Sequence, residues 1–274
     1  MSLVPRWRVH LKVISVGISD ALAYRGSFLL GIVTSLIPLI TSLLLWSAIY
    51  KAGGTGLVIA GFDLHQMLSY YLVMNVLRLA GTVEDAQWEV TQQVRSGALN
   101  NILLRPFNYV VMQWDLRMAA VGVGALLALL PAAILFFVAR SVMVLPASGW
   151  QWGVFALSAL LGIQISFLVS ICVGLSAFWF LETSGFLMTV FPLQMILSGA
   201  LFPLELVPGK LFAVLGLLPW TYTTYFPLQV YLGRVTPAAA AQGLGMQAFW
   251  MAALTGIAAL MWRRGLRRYE AVGG

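Results

Sequence analysis

Six stretches of the chain carry no charged residue: 26–50, 118–139, 141–181, 183–204, 211–233 and 235–262. Each meets the length of about 18 apolar residues that a membrane-spanning helix requires. Inside lipid such a run forms a helix, because a helix satisfies its own backbone N–H and C=O groups. Only 9% of the 274 residues are charged, against about 25% in a soluble domain, so most of the chain is expected in the bilayer. The net charge of +7 lies mainly beside the apolar runs. Positive-inside bias accounts for it without nucleic acid as a partner.

The pattern predicts an all-α integral membrane protein, one domain over 1–274, with spans near 27–50, 65–83, 116–139, 152–181, 185–204 and 243–262. The second is the most polar, carrying His65, Gln66, Asn75 and Arg78. The start is not a cleavable signal peptide, since Trp7, Arg8, Lys12 and Asp20 delay the first apolar run and no small-residue cleavage motif follows. Cys172 is the one cysteine, so a disulfide within the chain is excluded.

Charge counting decides between six and seven spans. With six spans and both termini in the cytoplasm, Lys51, Arg140, Lys210 and Arg234 fall outside, Arg78 stays within the second span, and the other basic residues fall inside. A seventh span at 211–233 would export Arg263, Arg264, Arg267 and Arg268, against the bias. Six spans are therefore expected, and 201–233 becomes a re-entrant helical hairpin capping the outer side. Pro203, Pro208, Pro219 and Pro227 break its helices, while Trp220, Tyr222 and Tyr225 suit the membrane interface. Residues 6–24 read as an amphipathic helix in the cytoplasmic interface. Trp7, Leu11, Ile14, Ile18 and Leu22 form one stripe, and Arg8, Lys12, Ser15 and Ser19 another.

The stretch "VRSGALNNILLRPFN", 94–108, interrupts this apolar chain within a cytoplasmic loop over 84–114. Glu84, Asp85 and Glu89 open a helix and Arg95 closes it, as the helix dipole favours. Gly97 is placed to take the left-handed conformation that ends it. Leu99, Ile102 and Leu103 give a second short helix an apolar face, and Pro106 stops that helix. Chemistry alone leaves two uses open: leucines tucked into headgroups, or docking of a soluble partner.

A six-span chain with an interface helix, a helical cytoplasmic loop after the second span and a Pro-rich outer hairpin resembles, over nearly its whole length, the permease subunits of type 2 ABC exporters. More specifically, Arg95-Ser96-Gly97, Leu99 and Leu103-Leu104-Arg105-Pro106 are similar to a loop signature of a bacterial subfamily, although Asn100 stands where an acidic residue is common. The resemblance implies that this loop carries a coupling helix fitting a groove in a separate ATPase. It assigns that task to Glu89, Arg95, Gly97, Leu99, Ile102, Leu103, Arg105 and Pro106. It further implies a bacterial plasma-membrane location and a second permease chain, identical or similar, as partner. The expected function is ATP-driven export of an amphiphilic or hydrophobic substrate such as a drug, lipid or peptide.

The chain itself is not expected to be an enzyme or to hold a cofactor. Gly209-Lys210, the only Gly-Lys pair, lacks the upstream glycine and following hydroxyl of a phosphate-binding loop, so ATP and magnesium belong on the partner. Histidines are limited to His10 and His65, too few for a His/Cys metal cluster. Tyr70, Tyr71, Asn75, Phe191 and Met195 are candidates to line a substrate path, with Arg78 as a gate or path residue. The plainer readings are helix packing and snorkelling of Arg78 toward Glu84 and Asp85. Two rival functions stand beside export. An ion- or proton-coupled secondary transporter would want mid-membrane acids, and the nine Asp and Glu residues all fall at loops or span ends. A membrane anchor for a soluble complex would use the same loop without transport.

Overall fold

The computed structural model describes residues 6–23, 25–80, 85–104, 108–180 and 183–269. Among them are eleven α-helices and no strand. Four helices are long and apolar enough to cross a membrane: α2 (Arg25–Ala52), α6 (Tyr109–Ala139), α7 (Gly149–Leu175) and α11 (Pro237–Arg268). The helices at the second and fifth expected spans are shorter. α3 (Leu64–Ala80) has 17 residues and α8 (Ser184–Leu197) has 14, or about 26 and 21 Å of rise.

Two expected boundaries shift for identifiable reasons. α6 begins at Tyr109, not 116, and so absorbs the end of the loop expected to run to 114. Asn108 caps it, its side-chain oxygen accepting from the Val111 N–H at 3.2 Å. Asp115 and Arg117, whose charges bound the expected apolar run, are partnered within the fold by His10 and Glu89. α8 ends at Leu197 instead of 204, because Gly199 turns the chain with φ 74° in the left-handed region.

α1 (Arg6–Ala23) matches the expected N-terminal helix and packs along α6. His10 Nδ1 lies 2.6 Å from the buried Asp115 carboxylate. One turn pair further along, the backbones approach so closely that a Cβ on Gly17 would sit 2.9 Å from that of Ala119. The opposite side of α1 leaves Trp7, Leu11, Ile18 and Leu22 exposed as an apolar stripe.

Two clusters of buried side chains mark the ends of the bundle, and α6 and α7 run between them. Tyr109 and Met112 of α6 and Phe167, Ile171 and Leu175 of α7 belong to one cluster. Leu135 and Ala139 of α6 and Phe155 of α7 belong to the other, around Phe62, Tyr70, Tyr71 and Tyr231. The first end carries α4 (Asp85–Arg95) and α5 (Leu99–Leu103). The second end carries the segment expected as a hairpin, built from α9 (Gly209–Leu215), α10 (Tyr225–Tyr231) and short 3-10 turns at Leu204–Leu206 and Pro219–Tyr222.

Broken backbone in an apolar bundle must be satisfied by the protein itself, and this segment is. Tyr70 donates its hydroxyl to the Gly199 carbonyl at 2.6 Å, Thr221 to Leu215 at 2.6 Å and Tyr222 to Gly216 at 2.8 Å. Gln247 of α11 donates to the carbonyls of Ser158 and Tyr222, each at 2.9 Å. Arg234 donates to the Gly61 carbonyl at 2.5 Å and stacks 3.7 Å from the Phe62 ring centroid, fastening the segment to the α2–α3 connection. α10 is consequently a buried helix, wedged against α7, and not a surface flap.

Candidate functional site

Two places in the bundle gather the candidate residues: the α4–α5 unit and a cavity beside α8.

α4 is tied to three long helices. A chain of polar contacts joins it to the first turns of α6. Arg117 pairs with Glu89, Gln93 donates to Glu89 at 2.9 Å, and Gln93 in turn accepts from Tyr109 at 2.6 Å and from Gln113 at 3.1 Å. Tyr109 then stacks on Trp262 of α11, rings 4.6 Å apart and 4° from parallel. Against α7, Val90 and the Gln87 carbonyl close over Gly174, and Thr91 donates to the Gly174 carbonyl at 3.4 Å. Arg95, at the end of α4, donates to Thr183 just before α8 at 3.3 Å. Gln113 and Tyr109 are buried, and hydrogen bonds at such sites are costly to leave unmade.

The corner between α4 and α5 forms at Gly97, whose φ is 76°, the conformation expected of a helix-ending glycine. The apolar face of α5 divides, and this corrects the expectation of a shared outward face. Leu99 is fully buried in the protein's own cluster and Ile102 packs against it. Leu103 and the neighbouring Leu104 point away, 41% and 84% exposed. The α5 helix is therefore anchored at its start and projects two leucines at its tip. Sequence periodicity put Leu99 on one face with Ile102 and Leu103 and the resemblance gave all three to docking, because neither locates the hydrophobic cluster from α6, α7 and α11 that covers Leu99. Arg105 and Pro106, with Glu84 and Glu182, lie outside the described residues.

The cavity, of about 110 Å³, opens between α3, α7, α8 and the 3-10 turn at Trp220. It gathers Arg78, Phe191 and Met195, all three of them expected along a substrate path. Tyr70, Tyr71 and Asn75 do not line it. They are buried and hydrogen-bonded internally: Tyr71 donates to the Leu201 carbonyl at 3.2 Å and the Asn75 amide nitrogen to the Ser35 carbonyl at 3.2 Å, while the Asn75 side-chain oxygen finds no partner among the described residues. α3 packs on α2 and α6, and Arg78 lies about two turns along it from Tyr71. Sequence reasoning missed Gln194 and Trp220, which also line the cavity and whose Nε2 and Nε1 have no acceptor among the described residues. Shutting such a donor away unpaired costs about 1–3 kcal/mol. It also missed Ala159, Ile163, Ser166 and Ser170 on α7, although their spacing of four, three and four residues traces one helical face and was legible.

Among the described residues no group of three or more His, Cys, Asp or Glu side chains could hold a metal ion. No curated protein matches the chain significantly. The sequence model of the ABC-2 family transporter protein matches residues 36–273, which takes in α2 from residue 36 onward, the other three long apolar helices, the α4–α5 unit and the cavity. With most of its length covered by that match, and with a helical bundle long and apolar enough for a bilayer, the chain belongs to the ABC-2 transporter family of membrane proteins.

Proposed function

We propose that the chain is the permease subunit of an ATP-driven exporter, in which α5 docks on a separate ATPase and the cavity beside α8 lies on the path of an amphiphilic or hydrophobic substrate. In this reading α3 and α8 complete six spans with α2, α6, α7 and α11, and both termini and the α4–α5 unit are cytoplasmic. α1 lies in the inner interface of a bacterial plasma membrane with Trp7, Leu11, Ile18 and Leu22 in the acyl chains. A second permease chain, the same or similar, closes the path on its open side.

The observation that carries the proposal is the division of α5. A loop that only rests on headgroups has no need of a rigid base, yet α4 is bonded to α6, α7 and the entrance to α8 while two leucines at the α5 tip stay uncovered. Such a lever passes a push at its tip directly to the spans. ATP binding closes the ATPase pair, α5 moves with it, and α4 hands the displacement to α6 and α7.

The test is purification of the full chain from its native membrane together with its ATPase. Leu104→Glu is expected to weaken that association at least tenfold, as for a contact worth about 2 kcal/mol at the centre of an interface. Because Leu104 is 84% exposed, the variant keeps its fold. Unchanged co-purification and unchanged ATP-dependent transport by Leu104→Glu would rule out docking through α5.

A further inference from the structure

We infer that the cavity beside α8 selects an amphiphile with an anionic headgroup, held by Arg78, Gln194 and Trp220, its tail lying along the exposed face of α8. The inference rests on the permease reading above and gives it a substrate class.

Among the described residues the lining carries one full positive charge, Arg78, and no carboxylate. Among the described residues no ion pair involves Arg78. The two further polar groups named above are N–H donors lacking acceptors, the Gln194 amide and the Trp220 indole. A cation with two idle donors calls for a ligand that brings negative charge and several acceptor oxygens. A phosphate or carboxylate does so, and guanidinium engages either in paired hydrogen bonds. A cationic or purely hydrocarbon ligand would leave the donors unsatisfied and, if cationic, meet Arg78 with repulsion.

Size separates headgroup from tail. A volume of about 110 Å³ is below the roughly 150 Å³ of a cavity that holds benzene, so it takes a headgroup and little more. Met188, Phe191 and Met195 continue from it at helical spacing along α8, with Met188 68% and Phe191 39% exposed. An alkyl tail laid on that stripe covers apolar surface that the chain itself leaves open.

The experiment titrates octyl phosphate calorimetrically into the full chain in phosphatidylcholine nanodiscs, with empty nanodiscs subtracted. Saturable one-site binding is expected. Arg78→Gln is expected to weaken it about tenfold and Gln194→Leu several-fold, while Arg78→Lys recovers part of the loss. Arg78 is exposed, so its replacement leaves the fold intact, and unchanged elution on size exclusion verifies this. Octyltrimethylammonium binding as tightly as octyl phosphate, or unchanged affinity in Arg78→Gln, would overturn the inference. Inorganic phosphate competing at equal concentration would also overturn it, by assigning the site to a free anion. The titration needs no ATPase, so its failure leaves the α5 docking test untouched, and failure of that test leaves this binding intact.

Discussion

Gly162→Ala is expected to destabilise the protein by about 2 kcal/mol or more, lowering its apparent melting temperature in detergent by about 5 °C. The sign is opposite to the usual one. Within a helix the exchange ordinarily stabilises by about 1 kcal/mol, since alanine loses less backbone entropy. At Gly162 the added Cβ would lie 2.5 Å from the carbonyl oxygen of Thr223. That oxygen is backbone between the Pro219–Tyr222 turn and α10, where Tyr222 and Gln247 already fix the chain. It cannot rotate aside, so α7 and the hairpin must separate. Gly153→Ala on the same helix supplies the control, because its Cβ would meet nothing within 4 Å. Its melting temperature should hold or rise. Melting curves of the two variants beside the parent chain, followed by fluorescence-detected size exclusion, decide the matter; equal behaviour would refute the close packing of α7 on the hairpin.

Gly174→Leu is expected to break the connection between α4 and α7 and cut transport per ATP hydrolysed more than tenfold. A Cβ at Gly174 would already come within 2.8 Å of the Val90 Cβ and 3.0 Å of the Gln87 carbonyl oxygen. Leucine adds three more carbons, in a place where small residues permit helices to touch. The displaced α4 carries its polar chain with it, so Tyr109, Gln113 and Arg117 lose the partners on which α6 relies. The α5 tip stays available, so ATPase should still co-purify and hydrolyse ATP. Measured in proteoliposomes, hydrolysis without transport is the expected signature. Full coupling in this variant would mean that α4 does not transmit the movement.

Much of the fold was legible because the chain leaves few alternatives. The long charge-free runs at 26–50, 118–139 and 235–262 became α2, α6 and α11 with little adjustment. Gly97 and the proline-rich stretch after 201 turned the chain where their backbone preferences say they should. Boundaries failed where charge was used as a marker for water. Asp115 and Arg117 look like loop residues until His10 and Glu89, distant in sequence, are known to be beside them. The candidate sites divided along the same line. Arg78, Phe191 and Met195 meet at one cavity, whereas Tyr70, Tyr71 and Leu99 are held by groups remote in sequence or by a core that periodicity alone does not locate. Gln194 and Trp220 went unnoticed because a single polar side chain in an apolar run acquires meaning only through its neighbours across space.

The central claim, that the α5 tip meets an ATPase, is tested most directly by crosslinking from Leu104. The single cysteine, Cys172, is replaced by alanine, and a photoactivatable maleimide is attached at Leu104→Cys or, as control, at Leu126→Cys on the outer face of α6, which is 69% exposed. Illumination of the purified permease–ATPase complex should yield an adduct from position 104 that contains the phosphate-binding-loop peptides of the ATPase chain, and none from position 126. An intact complex that gives no ATPase adduct from position 104 would contradict the account.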